Sequence, residues 1–152
     1  MKHERDFWIE ERCWEELLEK MPIPCVDVIV HKDREFLMGW RSIPPYKNVW
    51  ALIGGRILRG ESLEAAASRH CMKSGLRVSE LRQLGVYPVM FHSRHDITVC
   101  LAAKMTSGIL KPTEEMTRYG WFRKNELDRI SPVGRNYKTM LRHWTSTDSK
   151  PP

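Results

Sequence analysis

Residues 54–76 read Gly-Gly-Arg-Ile-Leu-Arg-Gly-Glu-Ser-Leu-Glu-Ala-Ala-Ala-Ser-Arg-His-Cys-Met-Lys-Ser-Gly-Leu, and this stretch decides the fold. The short apolar run 49–53 ends on Gly54-Gly55, a strand closed by a glycine turn. Residues 62–74, with Leu63, Glu64 and three successive alanines, predict a helix, and Gly75 supplies its stop. A strand, a tight turn and a helix start together present free backbone N–H groups, which suit an anion. Two glycines in a turn are common, so the spacing of the residues that follow carries the weight.

Working outward, 25–30 and 35–40 are β-branched or apolar runs separated by the polar turn His31-Lys32-Asp33-Arg34. Residues 84–91 and 97–105 form a second strand pair, joined by the polar segment 92–96. Residues 119–123 make one more strand, Asn125 can cap a short helical turn, and 134–145 has the character of a closing helix. At the other end, Phe7, Trp14, Leu17, Leu18 and Met21 share one face of a helix over 4–20, which Pro22 and Pro24 end. Helix, strands, central helix, strands and final helix imply an α/β chain with a mixed sheet and helices on its faces. The division is an N-terminal amphipathic helix over 1–22, a domain over 23–147 and a flexible tail over 148–152. The first helix packs on its own domain or serves as a dimer-forming arm, since two tryptophans near a terminus are costly to leave wet.

Composition narrows the function classes. A chain of 152 residues that is 41% hydrophobic can bury a core without disulfides or metal staples. Cys13, Cys25, Cys71 and Cys100 share no metal-ligand spacing and fit a reducing compartment. The charged start is unlike a signal peptide, and no apolar run is long enough to span a bilayer, so the expectation is a cytoplasmic protein without a membrane partner. The net charge of +6 welcomes anionic ligands, while the absence of a Lys/Arg block argues against nucleic acid.

The spacing from Gly55 onward resembles the Nudix box, G-x5-E-x7-R-E-U-x-E-E-x-G-U, where U is a bulky aliphatic residue. Gly55, Glu61, Arg69 and Gly75 occupy its frame. The resemblance implies a Nudix-type α/β/α sandwich in which Glu61 and Arg69 brace the loop. After Arg69 the family has carboxylates that hold a divalent cation. This chain has His70, Cys71, Met72, Lys73 and Ser74, one residue fewer, and no placement of that gap brings a carboxylate between Arg69 and Gly75. Hard cations require oxygen ligands, so the box is degenerate as a magnesium site. Helical spacing puts His70, Lys73 and Ser74 on one face, a reversal of the local charge.

Within the family the chain looks like GDP-mannose mannosyl hydrolase, a branch that cleaves sugar from nucleoside diphosphate at carbon. The segments Val26–Val30, Glu35–Arg41, Gly54–Ile57 and Glu61–Ala66 carry this likeness. It implies that Asp27 lies near a bound sugar nucleotide and that Arg41 and Arg56 neutralise its diphosphate, for which forked guanidinium groups are suited. It implies that the Gly54 carbonyl is a backbone metal ligand. The branch's glutamine ligand falls on Glu115 and its histidine base on Met116, whose thioether cannot accept a proton usefully. Glu115 is thus the candidate for catalytic base and remaining ligand of Mg²⁺ or Mn²⁺, if the chain uses a metal at all. Lys73, an ammonium at a metal-ligand position, can supply part of the cation's charge to a diphosphate. Two functions stay open: a hydrolase of nucleoside diphosphate derivatives such as sugar nucleotides, and a non-catalytic module that binds a nucleotide or a protein. His92, Arg94 and His95 could also reach a phosphate or base, and His92 and His95 with Asp96 are weak evidence of a metal site.

Overall fold

The computed structural model describes residues 7–91, 93–134 and 136–148. In order come α1 (Glu11–Lys20), β1 (Ile23–Lys32), β2 (Glu35–Arg41), β3 (Val49–Ala51), β4 (Ile53–Arg56), α2 (Leu63–Lys73), β5 (Leu76–Phe91), β6 (Arg94–Gly108), β7 (Met116–Arg123), a 3₁₀ helix (Lys124–Arg129) and α3 (Tyr137–Asp148). The seven strands form one sheet in the order β3-β2-β1-β6-β5, with β4 also on β1 and β7 also on β2. Only β1 and β6 run parallel among these pairs, so the sheet is mixed, as the order of sequence signals implied.

Cys25 to Val30 is buried without a break rather than on one face only, because β1 lies mid-sheet with packing on both faces. Asp27 is the polar exception in that run. The α2 helix starts on Ser62, whose hydroxyl accepts from the Ala65 N–H at 3.1 Å. It buries Ala66, Ala67, His70 and Cys71. At its end Gly75 has φ +86°, and a Cβ there would run into the Ile109 carbonyl oxygen, so only glycine fits this stop. Over the main core, Met140, Leu141 and Trp144 of α3 are fully buried, and Trp144 meets Phe36 edge-on.

Several expected boundaries move. The first helix begins at Glu11 rather than residue 4; residues 1–6 lie outside the described residues, and Phe7 to Glu10 precede the helix. None of its residues is fully buried. Gly54 and Gly55 are not a turn: they sit inside β4, with Gly54 opposite Asp27 and Gly55 opposite Val26. The expected strand 84–91 extends back to Leu76, and the polar segment 92–96 is not a loop throughout, because β6 already begins at Arg94. Its residue His92 lies outside the described residues. The short helical turn is capped at Arg123, whose N–H donates to Glu126 at 2.6 Å, rather than by Asn125. The last helix starts at Tyr137 rather than residue 134 and includes Asp148, the first residue of the expected tail; residues 149–152 lie outside the described residues.

Candidate functional site

The loop between β4 and α2 is held by one ion pair. Arg69 Nε donates to Glu61 Oε1 at 2.7 Å, and a terminal nitrogen donates to Glu61 Oε2 at 3.0 Å and to the Arg56 carbonyl at 2.9 Å. Glu61 Oε2 also accepts from the Leu58 N–H at 2.9 Å. Both side chains are mostly covered, at 20% and 14% exposure, so this forked pair is worth far more than a surface contact. Burial pushes the Glu61 carboxyl up, but the Arg69 and Leu58 hydrogen bonds outweigh it, and the net shift is below the ordinary glutamate value.

His70 is folded into the same corner. Its Nε2 lies 3.1 Å from the Arg56 carbonyl, and the imidazole rests against Gly55. Gly55 has φ +154°, and a Cβ there would stand 2.7 Å from His70 Cε1. The glycine is therefore required twice, for its backbone and for room for the ring. Ser74 is buried and accepts from the Tyr119 hydroxyl at 2.9 Å, while Lys73 is exposed. All three, with Gly54, Glu115 and Met116, border a small recess at the end of α2. Met116, at the position of the branch's histidine base, is buried with its sulfur over Gly39.

That recess adjoins a cavity of about 210 Å³. Lining it are four cationic side chains, Arg41, Arg56, Lys73 and Arg94, against three carboxylates, Asp27, Asp96 and Glu115, with His70 in addition. The structure thus brings Asp27, Arg41, Gly54, Arg56, Lys73 and Glu115 to one pocket.

The partners of these groups limit what each can do. Asp27 is 2% exposed and accepts from the Thr98 hydroxyl at 2.7 Å. Arg41 donates to the carbonyls of Ile43 and Pro44, at 3.1 and 3.0 Å, and to Glu115 Oε2 at 3.1 Å. It staples the β2–β3 loop besides facing the pocket. Glu115 is placed by its backbone, since the Ser42 N–H donates to its carbonyl at 2.9 Å. Arg56 donates to the Phe7 carbonyl at 2.9 Å and lies over the Trp14 ring; Arg94 lies over that ring too and pairs with Asp96 at 2.7 Å. The segment before β1 therefore reaches the pocket rim, a placement that the apolar face of α1 alone did not signal. Arg94 and Asp96 enter the site as a pair on β6, and their i, i+2 spacing on a strand was the available signal. Asp96 is engaged by Arg94; of the histidines named beside it as weak evidence of a metal site, His92 lies outside the described residues.

This donor set does not fit a divalent cation. The end of α2 at the recess offers an imidazole, an ammonium and a hydroxyl. The remaining carboxylate near it, Glu115, is ion-paired to Arg41. An ammonium within about 4 Å of a doubly charged cation costs about 2 kcal/mol in water and about 8 at a protein-like dielectric. Among the described residues, no three His, Cys, Asp or Glu side chains stand where they could hold one ion together. Thiol chemistry is not offered either: burial pushes the Cys71 thiol up to about 12, and burial with the neighbouring Asp27 raises Cys100 as well.

Comparison with known proteins places these features. A family model for the NUDIX domain matches residues 21–144. The ADP-ribose pyrophosphatase of Methanocaldococcus jannaschii is 30% identical over 113 residues, covering 72% of this chain and 67% of that protein. The NAD-capped RNA hydrolase NudC of Pectobacterium carotovorum subsp. carotovorum is 26% identical over 113 residues; the match spans 73% of this chain and 42% of the length of that relative. Among solved structures, the NUDIX domain of Shewanella oneidensis NrtR complexed with ADP ribose superposes with a TM-score of 0.73 at 17% identity, covering 97% of this chain and 100% of that one. A MutT NUDIX hydrolase from Burkholderia pseudomallei gives 0.74 at 18% identity, covering 82% and 98%. At such identities the structural likeness speaks for the fold alone. Among the described residues no helix is long and apolar enough to cross a membrane.

Proposed function

The chain belongs to the NUDIX domain family, and on that premise we propose that its pocket binds the diphosphate of a nucleoside diphosphate derivative through fixed cationic side chains, without a divalent metal. The observation that carries this reading is the α2 face: Lys73, with His70 beside it and no carboxylate, borders a pocket that also holds Arg41, Arg56 and Arg94. Guanidinium and ammonium groups can take over charge neutralisation where carboxylate-held magnesium is absent. Arg41 and Arg56 contribute by exchanging carbonyl contacts for phosphoryl oxygens. Asp27, braced by Thr98, lies where a sugar hydroxyl could donate to it. ADP-ribose and sugar nucleotides of the GDP-mannose type are the ligand class, in line with the ADP-ribose named for one relative and one structural neighbour.

Hydrolysis of such a ligand is the second reading, and the position of Glu115 favours it. Its carboxylate borders both the recess at α2 and the main pocket. Released from Arg41 by an incoming diphosphate, it can take a proton from water. That water attacks the anomeric carbon, the carbon–oxygen bond breaks, and the nucleoside diphosphate leaves with the electron pair.

Calorimetric titration of the full chain with ADP-ribose, GDP-mannose, AMP and inorganic phosphate tests the binding. The diphosphate compounds should bind at least about tenfold more tightly than AMP, because a second phosphoryl group meets further cations. Equal binding of AMP, or no binding of any diphosphate compound, refutes the reading. Phosphorus NMR on the same mixtures, beside Glu115→Gln, decides hydrolysis: turnover that survives in the variant removes Glu115 from it.

A further inference from the structure

The cationic pocket, at about 210 Å³, falls below the roughly 300–1,000 Å³ usual for small-molecule sites. A nucleoside diphosphate derivative held there by its phosphates has to project its base elsewhere. Next to it lies a second concavity of about 640 Å³, and Pro45 and Tyr46 line both. The β2–β3 loop, the end of β5 and the segment before α3 form its walls.

The two spaces differ in chemistry. The first is crowded with charge, whereas Lys47 is the one charged residue lining the second among the described residues. In the groove the rings of Tyr46 and Phe91 lie 4.1 Å apart between centroids at 43°. Met90 projects beside them, 64% exposed. Asn136 also lines the groove, and its Oδ1 is buried with no hydrogen-bond partner. A groove of aromatic and aliphatic walls with one unmet amide acceptor, continuous with an anion pocket, matches a ligand with an anionic end and a flat, neutral, hydrogen-bonding end. Bases stack on aromatic side chains with little regard to sequence, and an Asn amide can pair with an amino group and ring nitrogen of a base edge.

We propose that the groove between Tyr46, Phe91 and Asn136 is the nucleobase subsite for the ligand whose diphosphate occupies the cationic pocket. Tyr46 stands at the junction, where the ribose passes. Phe91 offers the stacking surface, and Asn136 turns its amide to the base edge. The inference rests on the diphosphate reading above and adds to it where the base goes and what reads it.

Calorimetry of the full chain with two probes, ADP-ribose and inorganic pyrophosphate, separates the two. Phe91→Leu should weaken ADP-ribose by at least about fivefold, the loss of one base stack. It should leave the pyrophosphate constant unchanged, which also reports that the variant is folded. Asn136→Ala should act in the same selective way. Met90→Ala, at an exposed position, provides an uncharged variant that does not disturb packing; it removes part of the apolar wall and should weaken ADP-ribose while sparing pyrophosphate. Variants that bind ADP-ribose like the parent overturn the subsite and leave the diphosphate pocket standing. A parent protein that binds ADP-ribose no better than pyrophosphate does the same. A parent that binds neither probe overturns the pocket, and the subsite with it.

Discussion

The two halves of one short stretch, residues 54–69 and 70–74, differ in what they carry. Up to Arg69, residues 54–69 keep a bracing frame: Glu61 and Arg69 hold each other, the Leu58 N–H and the Arg56 carbonyl. Beyond it, residues 70–74 carry an imidazole, an ammonium and a buried hydroxyl where the family resemblance leads one to expect carboxylates. The halves are adjacent in sequence and touch through Gly55 and His70. What separates them is the kind of work each does. The frame sets the backbone of the loop between β4 and α2. The α2 face sets the charge of the pocket, and it can change sign without unfolding the chain. A motif match therefore carries structural information in its first half and chemical information in its second.

If the frame is structural and the face chemical, substitutions in the two should fall on different measurements. Removing the frame should have the largest effect. Arg69→Ala leaves a mostly buried carboxylate and a carbonyl without their partner, and should cost about 3 kcal/mol, lowering the melting temperature by roughly 6–12 °C. A shift under about 2 °C would break the comparison at its first half. On the face, Lys73→Glu should weaken ADP-ribose by about tenfold or more while changing the melting temperature little, since the side chain is exposed. Added Mg²⁺ should recover part of the loss in that variant and none in the parent. A variant that melts early, or binds as the parent does, would merge the two halves again.

Acid sharpens the frame further. The Glu61 carboxyl is held below its ordinary value, so its contribution to stability is present above about pH 4.3 and is lost as pH falls through the folded-state value. The stability gap between the parent and Glu61→Gln should be full at pH 7 and narrow below pH about 4; urea unfolding at several pH values measures it. A gap that widens toward acid contradicts the assigned direction. The smallest expected effect belongs to Glu115→Gln. That carboxylate is half exposed and its pair with Arg41 resembles a surface contact, so stability should change by less than about 1 kcal/mol. Freed from Glu115, Arg41 should bind pyrophosphate equally well or up to about threefold more tightly, which calorimetry can read.

Legibility in the sequence followed the same division. The central helix, its Ser62 start and its Gly75 stop were readable because capping is local chemistry within a few residues. The buried β1 strand was readable because residues 25–30 are β-branched or apolar apart from Asp27. The N-terminal half of β5 was not: on a sheet edge, Arg77 and Glu80 face solvent, and with Ser79 they interrupt the alternation and coincide with bulges. Gly54-Gly55 looked like a turn because much of the need for a missing Cβ comes from distant partners: His70, fifteen residues from Gly55, and Val26 and Asp27 across the sheet from Gly54. In the site, the grouping of Asp27, Arg41, Arg56, Lys73 and Glu115 could be expected from the resemblance. The use of Arg41 as a staple for the Ile43 and Pro44 carbonyls could not, because carbonyl positions have no sequence signature. The Tyr46–Phe91 groove was invisible for a similar reason: its walls come from three segments that only the sheet brings together.

The central claim is that fixed cations on this chain stand in for a carboxylate-held metal. Its most direct test is the dissociation constant of ADP-ribose measured on the full chain at matched ionic strength, once in EDTA and once in excess Mg²⁺. Fixed cations predict two constants within about twofold of each other. Binding that vanishes in EDTA and returns with Mg²⁺ would contradict the account.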